Sequence, residues 1–323
     1  MRRPMSGFAS TNDLADKTIS FDELAPGLYG YTAEGDPNSG VVIGDDSVLV
    51  VDAQATPAMA ADVIARICRV TDKPIRHVVL SHYHAVRVLG ASAYRGAEII
   101  ASDVTHALLV ERGQQDMESE IGRFPRLFRG KDSIPGLTWP TLTFHRRMTL
   151  WLGRREVQII HVGRSHTAGD TIVWLPQERV CFSGDCVEFG ATPYCGDAHF
   201  ADWSGTLAAI QALGPERLVP GRGRALMTPA EVREGIEGTS AFTSDLFWRV
   251  KAGVAKDWTL KQVYDDAMGF MRPKYGHWVI FEHCMPFDVA RAYDEAKGMD
   301  HPQIWTAERD REMWRALEQG GTR

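Results

Sequence analysis

Through the first two thirds of the chain, apolar residues come in short alternating or continuous runs, separated by stretches with helical spacing. Gly27-Leu28-Tyr29-Gly30-Tyr31-Thr32 alternates as a strand does. Gly40-Val41-Val42-Ile43-Gly44 and Ser47-Val48-Leu49-Val50-Val51-Asp52 are apolar runs of strand length bounded by turn residues. Thr56 and Pro57 supply a capping hydroxyl and a first-turn proline for a helix whose apolar positions are Ala60, Val63, Ile64 and Ile67. Pro74 ends it, and Ile75-Arg76-His77-Val78-Val79-Leu80 reads as a buried strand. The middle repeats the theme. Glu156 to His161, Thr171 to Leu175 and Arg179 to Ser183 read as strands, a helix is expected from Trp203 to Leu213, and a last strand at Arg217-Leu218-Val219. Residues 112–140, with Pro125, Pro135 and Pro140, read as an irregular loop over the ligand end of the sheet. From about Thr228 only helical spacing remains, at 229–253, 259–269, 286–297 and 305–318.

These patterns predict an α/β domain over 19–227 after a flexible leader at 1–18, with a helical extension over 228–323 that packs on the core or forms a homodimer. With 323 residues, 44% hydrophobic and 24% charged, the chain can bury a large core. A formal charge of −6 argues against a nucleic-acid partner. The absence of a run of about 18 apolar residues argues against a membrane span. MRRPMSGFASTNDLAD lacks an apolar signal core, so a cytoplasmic location is expected. Five cysteines, Cys68, Cys181, Cys186, Cys195 and Cys284, form no CxxC pair and suit buried apolar positions.

Histidines carry the chemistry. His82 and His84 flank Tyr83 just past a strand, where open α/β sheets place their ligands. His166 follows another strand, in Gly163-Arg164-Ser165-His166-Thr167-Ala168-Gly169-Asp170, and Asp185 a third, in Ser183-Gly184-Asp185. Three neutral imidazoles make an open cationic site with a fourth position for water, and a nearby carboxylate serves as ligand or proton acceptor.

In this combination and order the chain resembles the metallo-β-lactamase superfamily over about residues 20–225. The resemblance implies a four-layer αβ/βα sandwich with metal at one edge. His82, His84 and His166 then match the ligands of the first metal, and Asp185 matches the carboxylate shared between two metals. Asp52 matches an acid placed behind the histidines, and Asp170 is expected to brace them in the same way. The chain departs from the family at the second metal, where Val86-Arg87 replaces Asp-His and Pro220-Gly221-Arg222-Gly223 replaces a late histidine. Valine has no donor atom and a guanidinium repels a cation, so the second site is expected to hold no metal.

Arg87 and Arg222 then either bind an anionic substrate group or neutralise Asp185. The expected activity is hydrolysis of an ester, thioester, lactone or amide in a small, anionic molecule, with one zinc and with Asp185, Arg87 and Arg222 as catalytic groups. The alternatives are a mononuclear iron dioxygenase of the persulfide dioxygenase type, with His82, His166 and Asp185 as a facial triad, or a metal-free binding protein. His277, His283 and Tyr194 are further candidates for substrate contact, and Trp139, Tyr194, Trp203 and Trp278 for an aromatic pocket.

Overall fold

The computed structural model describes residue 11 and residues 13–319. Most of the leader expected at 1–18 therefore lies outside the described residues. Its end is tied down: Asp13 meets Arg126 through its carbonyl and carboxylate, at 3.2 and 3.3 Å, and the Thr18 amide donates to Glu34.

Two sheets face each other. The first has seven strands in chain order: β1 Ser20–Ala25, β2 Leu28–Ala33, β3 Asp36–Ile43, β4 Val48–Val51, β5 Ile75–Val79, β6 Glu98–Ser102 and β7 Leu142–Phe144. Pairing is antiparallel through β4 and parallel from β4 to β7. The crossovers of its parallel half carry α1 Pro57–Val70, α2 Ala85–Val88 and α3 Asp103–Arg123. The second sheet runs β12-β11-β10-β9-β8, built from β8 Arg147–Leu152, β9 Arg155–His161, β10 Thr171–Leu175, β11 Val180–Gly184 and β12 Arg217–Pro220, with α4 Phe200–Ala212 before its last strand.

The sequence places apolar side chains on both faces of these strands, which is why they read as runs rather than clean alternation. Leu28, Val42, Leu49 and Val79 meet Ile159, Val173, Val180 and Phe182 between the sheets. The outer face of the first sheet packs on α1 to α3 through Val50, Val63, Ile67, Val78 and Leu109. The outer face of the second packs on α4 and on the extension helices α5 Pro229–Val254, α6 Leu260–Tyr275 and α7 Phe281–Ala296. The layers are therefore α, β, β, α.

Ile172, Trp174, Leu218, Phe242, Val263 and Met285 lie in one continuous cluster, so the extension shares the core of the domain it follows. Thr228 and Thr259 start α5 and α6 with reciprocal capping boxes, as their Thr-x-x-Glu and Thr-x-x-Gln spacings dictate. A final helix, α8 Ala307–Gln319, returns to α3.

One expectation is overturned. The stretch read as a loop over 112–140 begins as the second half of α3, a helix of 21 residues. Its buried face repeats as Arg112, Asp116, Ser119, Glu120 and Arg123, at helical spacing but in polar residues. A search for apolar periodicity passes over it.

Candidate metal centre

The strand ends of both sheets converge at one edge. β5 delivers Ser81 to His84, the turn before β10 delivers His166, β11 delivers Asp185, and the turn after β12 delivers Arg222. One ligand nitrogen from each of His82, His84 and His166 lies within 4.8 Å of the others, and all three rings are buried. The facing atoms are His82 Nε2, His84 Nδ1 and His166 Nε2. The last two are 2.9 Å apart, and Asp185 Oδ2 stands 3.9 Å from His82 Nε2 and 3.6 Å from His166 Nε2.

His82 Nε2 and Asp185 Oδ2 have no hydrogen-bond partner although buried. Burial holds His82 well below the usual imidazole range and His166 down at about 3, so both are neutral and able to ligate. Burial also opposes charge on His84, but Asp116, Asp197 and Glu120 outweigh it and hold this ring up at about 9. Three convergent buried imidazole nitrogens, with an unpartnered carboxylate oxygen beside them, suit a divalent ion such as zinc.

The turns that carry His82 and His166 are braced from behind, although His166 Nδ1 itself has no partner. Asp52 lies in the left-handed region, at φ 62°, a conformation that Asp tolerates better than most residues. Its carboxylate accepts from the Ser81 amide and hydroxyl, both at 2.8 Å. The Ser81 hydroxyl in turn meets His82 Nδ1 at 2.9 Å. Asp170 closes the turn that carries His166 by accepting from Ser165 Oγ, Thr167 Oγ1 and the Thr167 amide.

His84 caps α2 without a side-chain bond. The first amides of α2 donate instead to α3, Ala85 to Asp116 at 2.7 Å and Val86 to Glu120 at 3.2 Å. His84 Nε2 pairs with Asp197 Oδ2 at 3.1 Å. Sequence reading missed Asp116, Glu120, Arg112 and Asp197. The first three signal themselves only as a polar helical stripe, and Asp197 sits in a loop with no motif.

Arg87 is fully buried and points inward. Its guanidinium bonds Asp185 Oδ1, the Asn38 carbonyl at 2.7 Å and the Gly221 carbonyl at 2.8 Å, and lies 3.7 Å from Asp52. Gly221 permits this closeness, because a Cβ there would fall on Asp185. Burial works against ionisation of Asp185, but the Arg87 guanidinium outweighs it and holds the carboxyl far below the usual carboxylate range. Of the two roles expected for Arg87, the contacts of its two terminal nitrogens match neutralisation of Asp185, and its Nε is buried without a partner.

Arg222 is also turned inward, donating to the Gly35 carbonyl at 3.2 Å with its Nε 4.0 Å from Glu188. Burial and the negative charge of Asp185 push the Glu188 carboxyl up. The Tyr194 ring lies 5.6 Å from His84 and 6.2 Å from His166, its hydroxyl accepting from Arg123 at 3.1 Å. Trp203 stands 6.2 Å from His166.

The remaining candidates lie elsewhere. His283 is buried against Phe124 at 3.6 Å, in the layer behind Tyr194. His277 is exposed beside Trp278, so the structure does not bring it to the trio. Trp278 packs on Phe242 and Tyr275 inside the extension, and Trp139 is exposed against His106. These two do not join Tyr194 and Trp203 in one aromatic pocket. Two clefts of about 10 Å³, each roughly room for one water, touch this edge: one between Thr167, Asp197, Arg112, His301 and Pro302, the other between Asn38, Asp52, Arg87 and Pro220.

Two facing sheets with three convergent histidines at one edge define a metallo-hydrolase fold. The chain belongs to the metallo-beta-lactamase superfamily, whose family model matches residues 32–222. It is 23% identical over 241 residues to the metallo-beta-lactamase type 2 of Bacillus sp. (strain 170), covering 71% of this chain and 82% of that protein. It is 23% identical over 220 residues to the Bacillus cereus protein of the same description, covering 64% and 77%. Among solved structures it is similar to a metallo-beta-lactamase from Pontibacter korlensis, with a TM-score of 0.54 and 16% identity over 68% of this chain and 99% of that one.

Proposed function

We propose that this protein is a one-metal hydrolase of small anionic esters, thioesters, lactones or amides. The observation that carries the reading is the position of the Arg87 guanidinium. It is bonded to Asp185 beside the histidine trio, at a chain position that the family resemblance gives to a second-metal histidine. A second cation there would be repelled by the guanidinium.

His82, His84 and His166 would hold the ion. Zinc bound by three imidazoles acts as a Lewis acid and brings water within reach of ionisation near neutral pH. The rest is work for the chain's own groups. Asp185, anchored through Oδ1 by Arg87, keeps Oδ2 directed at the trio, where it would orient the attacking water. Arg222 lies on the same side, and its charge favours a substrate carboxylate or a developing oxyanion. Burial of these groups strengthens each of those interactions by excluding water.

Elemental analysis of protein purified without added metal tests the reading. One equivalent of zinc is expected, lost in His84→Ala and His166→Ala, together with esterase or thioesterase turnover that depends on it. Two equivalents in the wild type would overturn the one-metal assignment. Iron accompanied by oxygen uptake would replace hydrolysis with oxidation.

A further inference from the structure

Asp197 lies on the loop between β11 and α4, and one side of that loop is held by α7 and the segment before α8. The Cys195 amide donates to Asp288 at 2.7 Å, Arg291 Nε donates to the Ala198 carbonyl at 2.7 Å, and Glu295 accepts from the Phe200 and Ala201 amides at 3.0 and 2.9 Å. Asp288, Arg291 and Glu295 share one face of α7 at helical spacing. Trp305, before α8, donates from Nε1 to the Gly196 carbonyl at 2.9 Å.

From the inner side, Asp197 Oδ1 accepts from Arg112 Nη1 at 3.2 Å, and the same nitrogen donates to the Pro302 carbonyl at 3.1 Å. Arg112 also reaches His301 Nε2, at 2.7 Å. Asp197 and Arg112 are buried, so their geometry is fixed rather than sampled. The other carboxylate oxygen, Oδ2, is the one that pairs with His84 Nε2, while His84 Nδ1 faces the trio. Which nitrogen an imidazole offers to a metal, and how basic it is, depends on what holds the other one.

We propose that Asp197 is a positioning residue for His84, and that through it α7 and the 297–306 linker set the affinity of the metal centre. The proposal rests on the trio being the metal set, and its test separates the two readings. Without Asp197 the His84 ring loses the acceptor that fixes its tautomer and its tilt. Without Arg112 the carboxylate loses its link to the linker, but the His84 contact remains. A graded effect follows, larger for Asp197 than for Arg112. A carboxylate present only to balance Arg112 would instead destabilise the fold when replaced and leave the metal affinity of folded protein unchanged.

The experiment is competition for zinc and cobalt against a chromophoric chelator, using full-length protein whose folding is checked by circular dichroism. Asp197→Asn should weaken zinc binding by about 10- to 100-fold and shift the cobalt d–d absorption. Arg112→Gln should weaken it less, and Asp197→Glu should recover part of the loss. Wild-type affinity and an unchanged cobalt spectrum in folded Asp197→Asn would overturn the proposal. Asp197→Ala adds a second chance to see the loss, and Arg112→Gln leaves the carboxylate in place should either Asp197 variant fail to fold. A wild type that binds neither ion would instead remove the trio as a metal set.

Discussion

Arg87 shows what a single position can do to a metal centre. A residue that would be costly to bury alone is surrounded by Asp185, Asp52 and two carbonyls, all at the core of the candidate site. Such a buried pair adds little over an apolar substitute, but removing one member leaves an uncompensated charge. Arg87→Met should therefore destabilise the metal-free protein by about 3–5 kcal/mol in urea unfolding. Added zinc should recover part of the loss, because a cation beside Asp185 takes over the missing compensation. A loss below 1 kcal/mol would mean that Asp185 is solvated. At this scale the sequence was informative where chemistry has a fixed vocabulary. His82, His84, His166 and Asp185 announce themselves by spacing after strands, and they do meet. The direction of Arg87 was not legible, because an arginine turned inward and one turned toward substrate have the same letters. The supporting Asp197 was not legible either, since its partner His84 lies 113 residues away.

Among the elements, α3 departs furthest from its expected form. Helix formation asks only for a buried stripe at 3.6-residue spacing, and the stripe is normally apolar because burying charge is costly. Here the cost is offset by placing polar groups of the stripe against partners: Arg112 on Asp197, Asp116 and Glu120 on the amides of α2, the Ser119 hydroxyl on Asp310 at 2.6 Å. The apolar strands and capped helices were readable from local pattern. This helix was not, because what specifies it lies on other elements. Its carboxylates act as caps supplied from outside the helix they cap. Asp116→Ala should cost about 1–2 kcal/mol in chemical denaturation, the usual value of a lost cap. It should also accelerate hydrogen exchange at Ala85 and Val86 ahead of the β5 strand. Unchanged exchange at those two amides would show that α2 keeps its start without α3.

The extension shares its core with the domain it follows, although the sequence reads as a domain followed by an appendage. The family match stops at residue 222, yet Phe242, Met271 and Met285 lie in the same cluster as Trp174 and Leu218. A chain ending at residue 227 would expose that outer face of the second sheet and release the loop that carries Asp197. Such a fragment is expected to be insoluble, or, where recovered by refolding, to bind zinc at least tenfold more weakly than the full chain. Sedimentation and chelator competition measure both. A soluble fragment with wild-type zinc affinity would mean that the extension is an independent addition.

Ser119 and Asp310 are 191 residues apart. On a ribosome adding roughly 5–20 residues per second, α3 waits about 10–40 s for its last partner. An apolar stripe left uncovered that long would invite association with other nascent chains. The charged one stays hydrated until α7 and α8 arrive, so the polar face that hides the helix from pattern reading also protects the unfinished protein during synthesis. The hydrogen bonds behind His84 and Asp197 are then completed only once α7 and the 297–306 linker have been made.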